Sequence, residues 1–197
     1  MADQLSLERE RTAVVIMDYQ NDILGMYPED MRKGLLTRAN AVLTGSRHAG
    51  IPVIYVAVRF REDYPEVSPR DATRRGIRSS GRLQEGTMGA EIHPAVTPHP
   101  GEAIVVKRRT GPFSTTDLTA ILNARDINTL VLMGVSTSGC VLSAVRWAAD
   151  IDYQLVVISD CCMDRDEEVQ RVLTEKVFAR QATVVTAQEF LTALGES

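Results

Sequence analysis

The sequence has no long apolar run, no excess of basic residues and too few cysteines for a disulfide framework. No stretch approaches the roughly 20 apolar residues that cross a bilayer, and Met1-Ala2-Asp3-Gln4 lacks the basic-then-apolar plan of a secretory leader. Neither a membrane partner nor export is expected, and the cytoplasm is the expected location. Lysine and arginine number 22 against 26 acidic residues, for a formal net charge of −4. That balance argues against a nucleic-acid partner, because neutralising phosphates takes a clustered cationic excess. Three cysteines, with Cys161 and Cys162 adjacent, agree with a reducing compartment. The three histidines, His48, His93 and His99, pair with no nucleophile in any recognisable pattern.

What is there reads as one α/β domain spanning residues 1–197, since 44% hydrophobic content in 197 residues suits a single core. Runs rich in valine and isoleucine recur, each followed by a turn and a segment of helical period, the signature of a parallel sheet with crossover helices. Strands are expected near Ala13–Met17, Val53–Val58, Ala103–Lys107, Thr129–Gly134, Leu155–Ser159 and Thr183–Val185. Most are too uniformly apolar for a one-faced sheet, so helices should cover both sides. Helices are expected near Lys33–Ala49, Thr115–Ala124, Gly139–Ala149, Asp166–Ala179 and Ala187–Leu194, with Ser114-Thr115-Thr116-Asp117 supplying caps for the second. The connection from Arg59 to Glu102 is long, polar and broken by prolines and glycines; such loops are usually functional or disordered.

In open parallel sheets ligands bind outside the carboxyl ends of the strands. That rule selects Asp18 after the first strand, Lys107 at the end of the third and Cys140 after the fourth. A cysteine in the first turn of a helix faces unpaired backbone N–H groups, which should lower its pKa. Around it, Ser136, Ser138 and Gly139 leave room for backbone amides to approach a carbonyl oxygen as an oxyanion hole. Asp18 would take the thiol proton and return it to a leaving amine, with Lys107 balancing the charge. Taken singly, each residue has an ordinary reading. Cys140 suits a small buried hydrophobe, Asp18 a turn cap, and Lys107 with Arg108 and Arg109 a solvated cluster. Their coincidence at three separate strand ends favours the joint reading.

The stretches VVIMDYQND (14–22), EGTMGAEIHP (85–94), VVKRRTGPFSTTDL (105–118) and GVSTSGCVLSAVRWAADIDYQLVVISDCC (134–162) resemble, in this order, the isochorismatase-like cysteine hydrolases. That family includes nicotinamidases and N-carbamoylsarcosine and ureidoacrylate amidohydrolases. The resemblance implies a Rossmann-like three-layer α/β/α sandwich with a mostly parallel six-stranded sheet ordered 3-2-1-4-5-6. It also implies an Asp-Lys-Cys triad at Asp18, Lys107 and Cys140. A cis peptide at Val135–Ser136 would turn the Ser136 and Cys140 amides toward one oxyanion. A homo-oligomer, dimer or tetramer, is expected on the same ground. Nicotinamidases carry Asp-x-His after the second strand, where this chain has Val58-Arg59-Phe60-Arg61; no metal and no other cofactor is expected.

The expected activity is therefore metal-independent hydrolysis of an amide, carbamoyl or ureido C–N bond in a small molecule through a thioester. The alternatives are vinyl ether hydrolysis of isochorismatase type and a non-catalytic binding or redox protein. A Cys-His mechanism is a lesser one. Candidate substrate-binding residues are Tyr19, Gln20 and Asn21, beside Asp18, together with Arg59 and Phe113. Arg59, Arg61, Arg70, Arg74, Arg75, Arg78 and Arg82 crowd the long connection; one or two would suit a carboxylate by bidentate pairing, or all a plain solvated or subunit-facing surface. Trp147, seven residues beyond Cys140, is expected to pack in the core or an interface, and Cys161-Cys162 to be buried packing.

Overall fold

Six apolar runs pair into one sheet in a computed structural model of the chain, which describes residues 5–195. Met1–Gln4, read above for a leader, lie outside the described residues. In chain order the elements are β1 (Thr12–Met17), α1 (Asn21–Leu24), α2 (Glu29–His48), β2 (Val53–Val58), α3 (Ile77–Ser80), β3 (Ala103–Lys107) and α4 (Leu118–Ala124). They continue with β4 (Thr129–Val135), α5 (Leu142–Asp150), β5 (Gln154–Met163), α6 (Glu167–Val172), β6 (Thr183–Val185) and α7 (Ala187–Ala193). Every strand pair is parallel, and the order is β3-β2-β1-β4-β5-β6, as the resemblance implied.

β1, β2 and β4 are buried along their whole lengths, which requires cover on both faces. The topology supplies it. The chain steps one way from β1 to β2 and the other way from β4 to β5, so right-handed crossovers put α2 and α5 on opposite faces. α7 returns to pack on α2. The step reverses between β1 and β4, and the crevice at their carboxyl ends is where an open sheet of this kind binds ligands. Among the described residues no helix is long and apolar enough to cross a membrane.

Four expected boundaries move for local reasons. α2 begins at Glu29, a turn early, where Glu29 and Asp30 suit the positive helix end. α4 begins at Leu118 because Thr115 sits at φ 62°, outside helical space; Thr116, not a longer cap series, accepts the Leu118 N–H at 3.3 Å. The helix expected from Gly139 starts only at Leu142, after a wide π-helical turn over Thr137–Val141. The helix expected over Asp166–Ala179 is divided. Asp166 caps α6 by accepting from the Glu168 and Val169 amides, and a π turn (Leu173–Val177) and a 3-10 turn (Phe178–Arg180) follow.

The long connection is pinned to the body. Phe60 and Leu83–Glu85 exchange backbone hydrogen bonds of 2.8 Å, and the Gln20 amide donates to Val58 O and Ala90 O while accepting the Val58 N–H. At its far end Arg47, from the last turn of α2, holds Glu102 through two bonds of 2.8 Å.

Candidate active site

β4 delivers the chain into the site through Gly134 and Val135, and the Val135–Ser136 peptide is cis, as expected. The turn that follows is too tight for larger side chains. A Cβ on Gly139 would stand 2.7 Å from Ser136 Oγ, and one on Gly134 would stand 3.0 Å from Cys140 Sγ. Two hydrogen bonds fasten the turn to its surroundings. Thr137 Oγ1 donates to Gln170 Oε1 at 2.5 Å, and the Ser138 N–H to Asp164 Oδ2 at 2.7 Å. The Cys140 thiol donates to Ser136 O at 3.5 Å.

Asp18 follows β1 at φ 62°, a left-handed conformation that costs a non-glycine residue about 1–2 kcal/mol. Its amide donates to Val56 O at 2.8 Å, which holds the sharp turn against β2. Lys107, the last residue of β3, sends its Nζ to Asp18 Oδ2 at 2.6 Å and to Thr110 O at 2.6 Å. Asp18, Lys107 and Cys140 are 5%, 1% and 2% exposed, so this is an ion pair and a thiol sealed almost wholly from bulk water. Among the described residues Asp18 Oδ1 is buried without a hydrogen-bond partner.

The electrostatics follow from that burial. Desolvation pushes the Asp18 carboxyl above its ordinary value against the opposing pull of Lys107. Burial, then the neighbouring Asp18 charge, push the Cys140 thiol well up, and Lys107 offsets this only in part. The expected fall in thiol pKa is thus corrected. Cys140 lies in the turn before α5, out of water and beside a carboxylate, so the positive helix end does not decide its charge. A thiol and a carboxyl, both raised by burial, thus stand side by side as a pair able to pass one proton between them.

Above the three groups opens a cavity of about 630 Å³. Its floor includes Asp18, Lys107, Ser136 and Cys140. Ile23, Met26 and Tyr27, at and just past α1, line the cavity as well, with Phe60, Arg74, Ile77, Arg82 and Leu83 of the long connection and Asp164 and Arg165 just past β5.

None of the five proposed substrate-binding side chains lines this cavity. The left-handed turn at Asp18 throws Tyr19 back into the core, where its hydroxyl donates to Cys161 O at 2.6 Å, and Gln20 is committed to backbone. Asn21 Nδ2 donates to Met88 O at 2.8 Å. Arg59 pairs with Glu91 at 3.1 Å. Phe113 lines a smaller neighbouring hollow and stacks on Trp147 at 6.4 Å between ring centroids. Trp147 itself is half exposed rather than in the core. Cys161 and Cys162 are buried and unpaired, and none of the three histidines lines the cavity. The lining residues missed by the sequence reading, Tyr27 and Arg165 above all, carry no periodic or spacing signal. Among the described residues no group of three or more His, Cys, Asp or Glu side chains gathers as a metal site.

Residues 12–189 match the isochorismatase domain family. The chain is 29% identical over 209 aligned positions to ureidoacrylate amidohydrolase of Agrobacterium fabrum (strain C58), an alignment covering 95% of this chain and 87% of that one. It is 26% identical to maleamate amidohydrolase of Pseudomonas putida, over 80% of this chain and 73% of that one. A crystal structure of a cysteine hydrolase from Pseudomonas syringae pv. phaseolicola shares the fold at a TM-score of 0.87 and 22% identity, over 99% of each chain.

Proposed function

The chain belongs to the isochorismatase family, and from that premise we propose that it is an amidohydrolase cleaving an amide, carbamoyl or ureido C–N bond of a small molecule, with Cys140 as nucleophile. The relatives named for ureidoacrylate and maleamate hydrolysis support the bond type. The observation that carries the residue assignment is the Lys107–Asp18 contact of 2.6 Å beside the Cys140 thiol on the cavity floor.

In the proposed reaction Cys140 Sγ attacks the carbonyl carbon as its proton passes to Asp18, whose unpartnered Oδ1 is the free acceptor. The oxyanion that forms faces the Ser136 and Cys140 amides. Collapse breaks the C–N bond, and Asp18 returns the proton to the leaving nitrogen, leaving a thioester. A water then attacks the thioester carbonyl, gives its proton to Asp18, and releases the acid product with the thiol restored. Lys107, fixed between Asp18 and Thr110 O, keeps a positive charge beside the carboxylate whenever it is ionised. Cys140→Ala is expected to lower turnover by roughly 10⁴-fold or more with an unchanged thermal midpoint. Near-normal turnover in that variant would remove the assignment.

The expected homo-oligomer and cytoplasmic location rest on the same family premise. The half-exposed Trp147 is the aromatic surface most suited to a subunit contact, and Trp147→Glu should shift the sedimentation profile toward monomer if it lies there.

A further inference from the structure

If Cys140 is the nucleophile, as the amidohydrolase reading on which this proposal rests requires, its turn must hold the thiol at a fixed point. β5 runs past the end of β4 unevenly. Leu132 of β4 lies opposite Val157 of β5, but Gly134, two residues on, lies opposite Cys162, five residues on. β5 thus carries three residues more than a regular ladder holds, bulged out beside the strand that leads to Cys140. Bulged backbone loses its ladder partners, and such bulges serve beside active sites to re-aim a side chain.

The carbonyls in and next to the bulge need donors, and long side chains supply them. Arg38 Nε donates to Asp160 O at 2.8 Å, the Tyr19 hydroxyl to Cys161 O at 2.6 Å, and Gln170 Nε2 to both Ser159 O and Cys162 O at 3.3 Å. Among the described residues only Gln170, of these three, has its other end on the turn that carries Cys140. Its Oε1 accepts the hydroxyl of Thr137, which is 0% exposed and opens that turn. A primary amide suits the place because it offers two N–H donors to two carbonyls and one acceptor to a hydroxyl. The carbonyls can only accept, so the amide has one orientation. Asp164 adds a second tie by accepting the Ser138 N–H at 2.7 Å. The first bonds inside the turn are longer, from the Gly139 and Val141 amides to Ser136 O at 3.2 and 3.4 Å, so the outside ties matter to its shape.

We propose that Gln170 is a positioning residue: it joins the β5 bulge to Thr137 and thereby sets where Cys140 Sγ stands against Asp18 and the scissile carbonyl. Gln170 does not line the active cavity, so its effect belongs in kcat rather than in substrate affinity.

The test is a double-mutant cycle on an amide substrate between Gln170→Met and Thr137→Val, each close in shape to the native side chain and unable to make the shared bond. Each single variant should lower kcat about ten- to a hundredfold, up to the scale of an ångström-level misplacement, with KM nearly unchanged. The double variant should be little worse than either single one, since both cut the same link. Thr137→Ser, which keeps the hydroxyl, should recover most of the loss. Gln170→Met also strips two carbonyls of a donor and should lower the thermal midpoint more than Thr137→Val; should it fail to fold, the Thr137→Val and Thr137→Ser pair carries the test alone.

A readout without turnover separates this claim from the hydrolytic one. Iodoacetamide should alkylate Cys140, 2% exposed in the native fold, faster in Thr137→Val than in wild type, with Cys161 and Cys162 unchanged. Were Cys140→Ala to keep its turnover, the hydrolytic reading would fail and alkylation alone would judge the tie. Unaltered kcat in Thr137→Val, losses that multiply in the double variant, a Thr137→Ser enzyme as slow as Thr137→Val, or equal Cys140 alkylation in Thr137→Val and wild type would each overturn the proposal.

Discussion

At Asp18 two opposite demands meet: burial works against its charge and the Lys107 ammonium works for it, and the balance leaves the carboxyl above its ordinary 3.8. The acid limb of kcat/KM should accordingly lie above the usual aspartate range, because turnover is lost as pH falls through the raised value and the base becomes protonated. A limb at or below that range would contradict the assignment of Asp18 as base. The same carboxylate raises the Cys140 thiol, which separates nucleophilicity from turnover in a measurable way. In Asp18→Asn the Lys107 charge is left unopposed, so the thiol pKa should fall and alkylation of Cys140 quicken while hydrolysis is lost. Peptide mapping after brief iodoacetamide treatment distinguishes Cys140 from Cys161 and Cys162. Slower alkylation of Cys140 in the variant would refute the coupling.

At the scale of elements, two features have separable consequences. In the turn over Thr137–Val141 a Cβ added at Gly139 would meet Ser136 Oγ at 2.7 Å, so the Ser136 side chain would have to move. Gly139→Ala should displace Ser136 and Cys140 and lower kcat by about 10²-fold, the scale of an ångström-level misplacement, with little change in thermal midpoint. Full activity in that variant would show the turn to be compliant. The Arg47–Glu102 clamp joins the end of α2 to the approach to β3, with side chains 17% and 13% exposed. Burial alone would raise the Glu102 pKa, but the bonds from Arg47 and the His99 amide outweigh it and the net shift is downward. A carboxylate depressed in the folded state contributes stability above its unfolded value of about 4.5 and loses it as pH falls through the folded value. Glu102→Gln should therefore cost about 1.5–3 kcal/mol at neutral pH and converge with wild type in acid. A loss independent of pH in denaturant titrations would assign the effect to packing instead.

Over the whole molecule, the sheet and the ends of its strands were legible in the sequence because burial on both faces leaves runs such as Val14–Met17 and Leu130–Met133 without polar interruption. The next polar residue then marks a carboxyl end, which is how Asp18 and Lys107 could be picked out; after β4 that residue is Ser136, and Cys140 follows in the short turn it opens. The pocket wall was not legible for a physical reason as well. Tyr19, Gln20 and Asn21 are neighbours of Asp18 in the chain, but its left-handed turn sends Tyr19 and Gln20 to the core side and Asn21 to the Met88 carbonyl. The walls come instead from α1 and its sequel, from an irregular connection held by backbone hydrogen bonds, and from two residues past β5, none of which leaves a periodic trace. The low thiol pKa failed similarly, since a helix-start argument cannot know that the helix begins at Leu142.

The measurement that bears most directly on the hydrolytic mechanism is rapid-quench mass spectrometry of the enzyme turning over an amide substrate in acid-stopped samples. The mechanism predicts a transient mass increase equal to the acyl group, confined to the peptide carrying Cys140 and missing from Cys140→Ala. Steady hydrolysis with Cys140 unmodified at every quench time, and with Cys140→Ala still active, would contradict it.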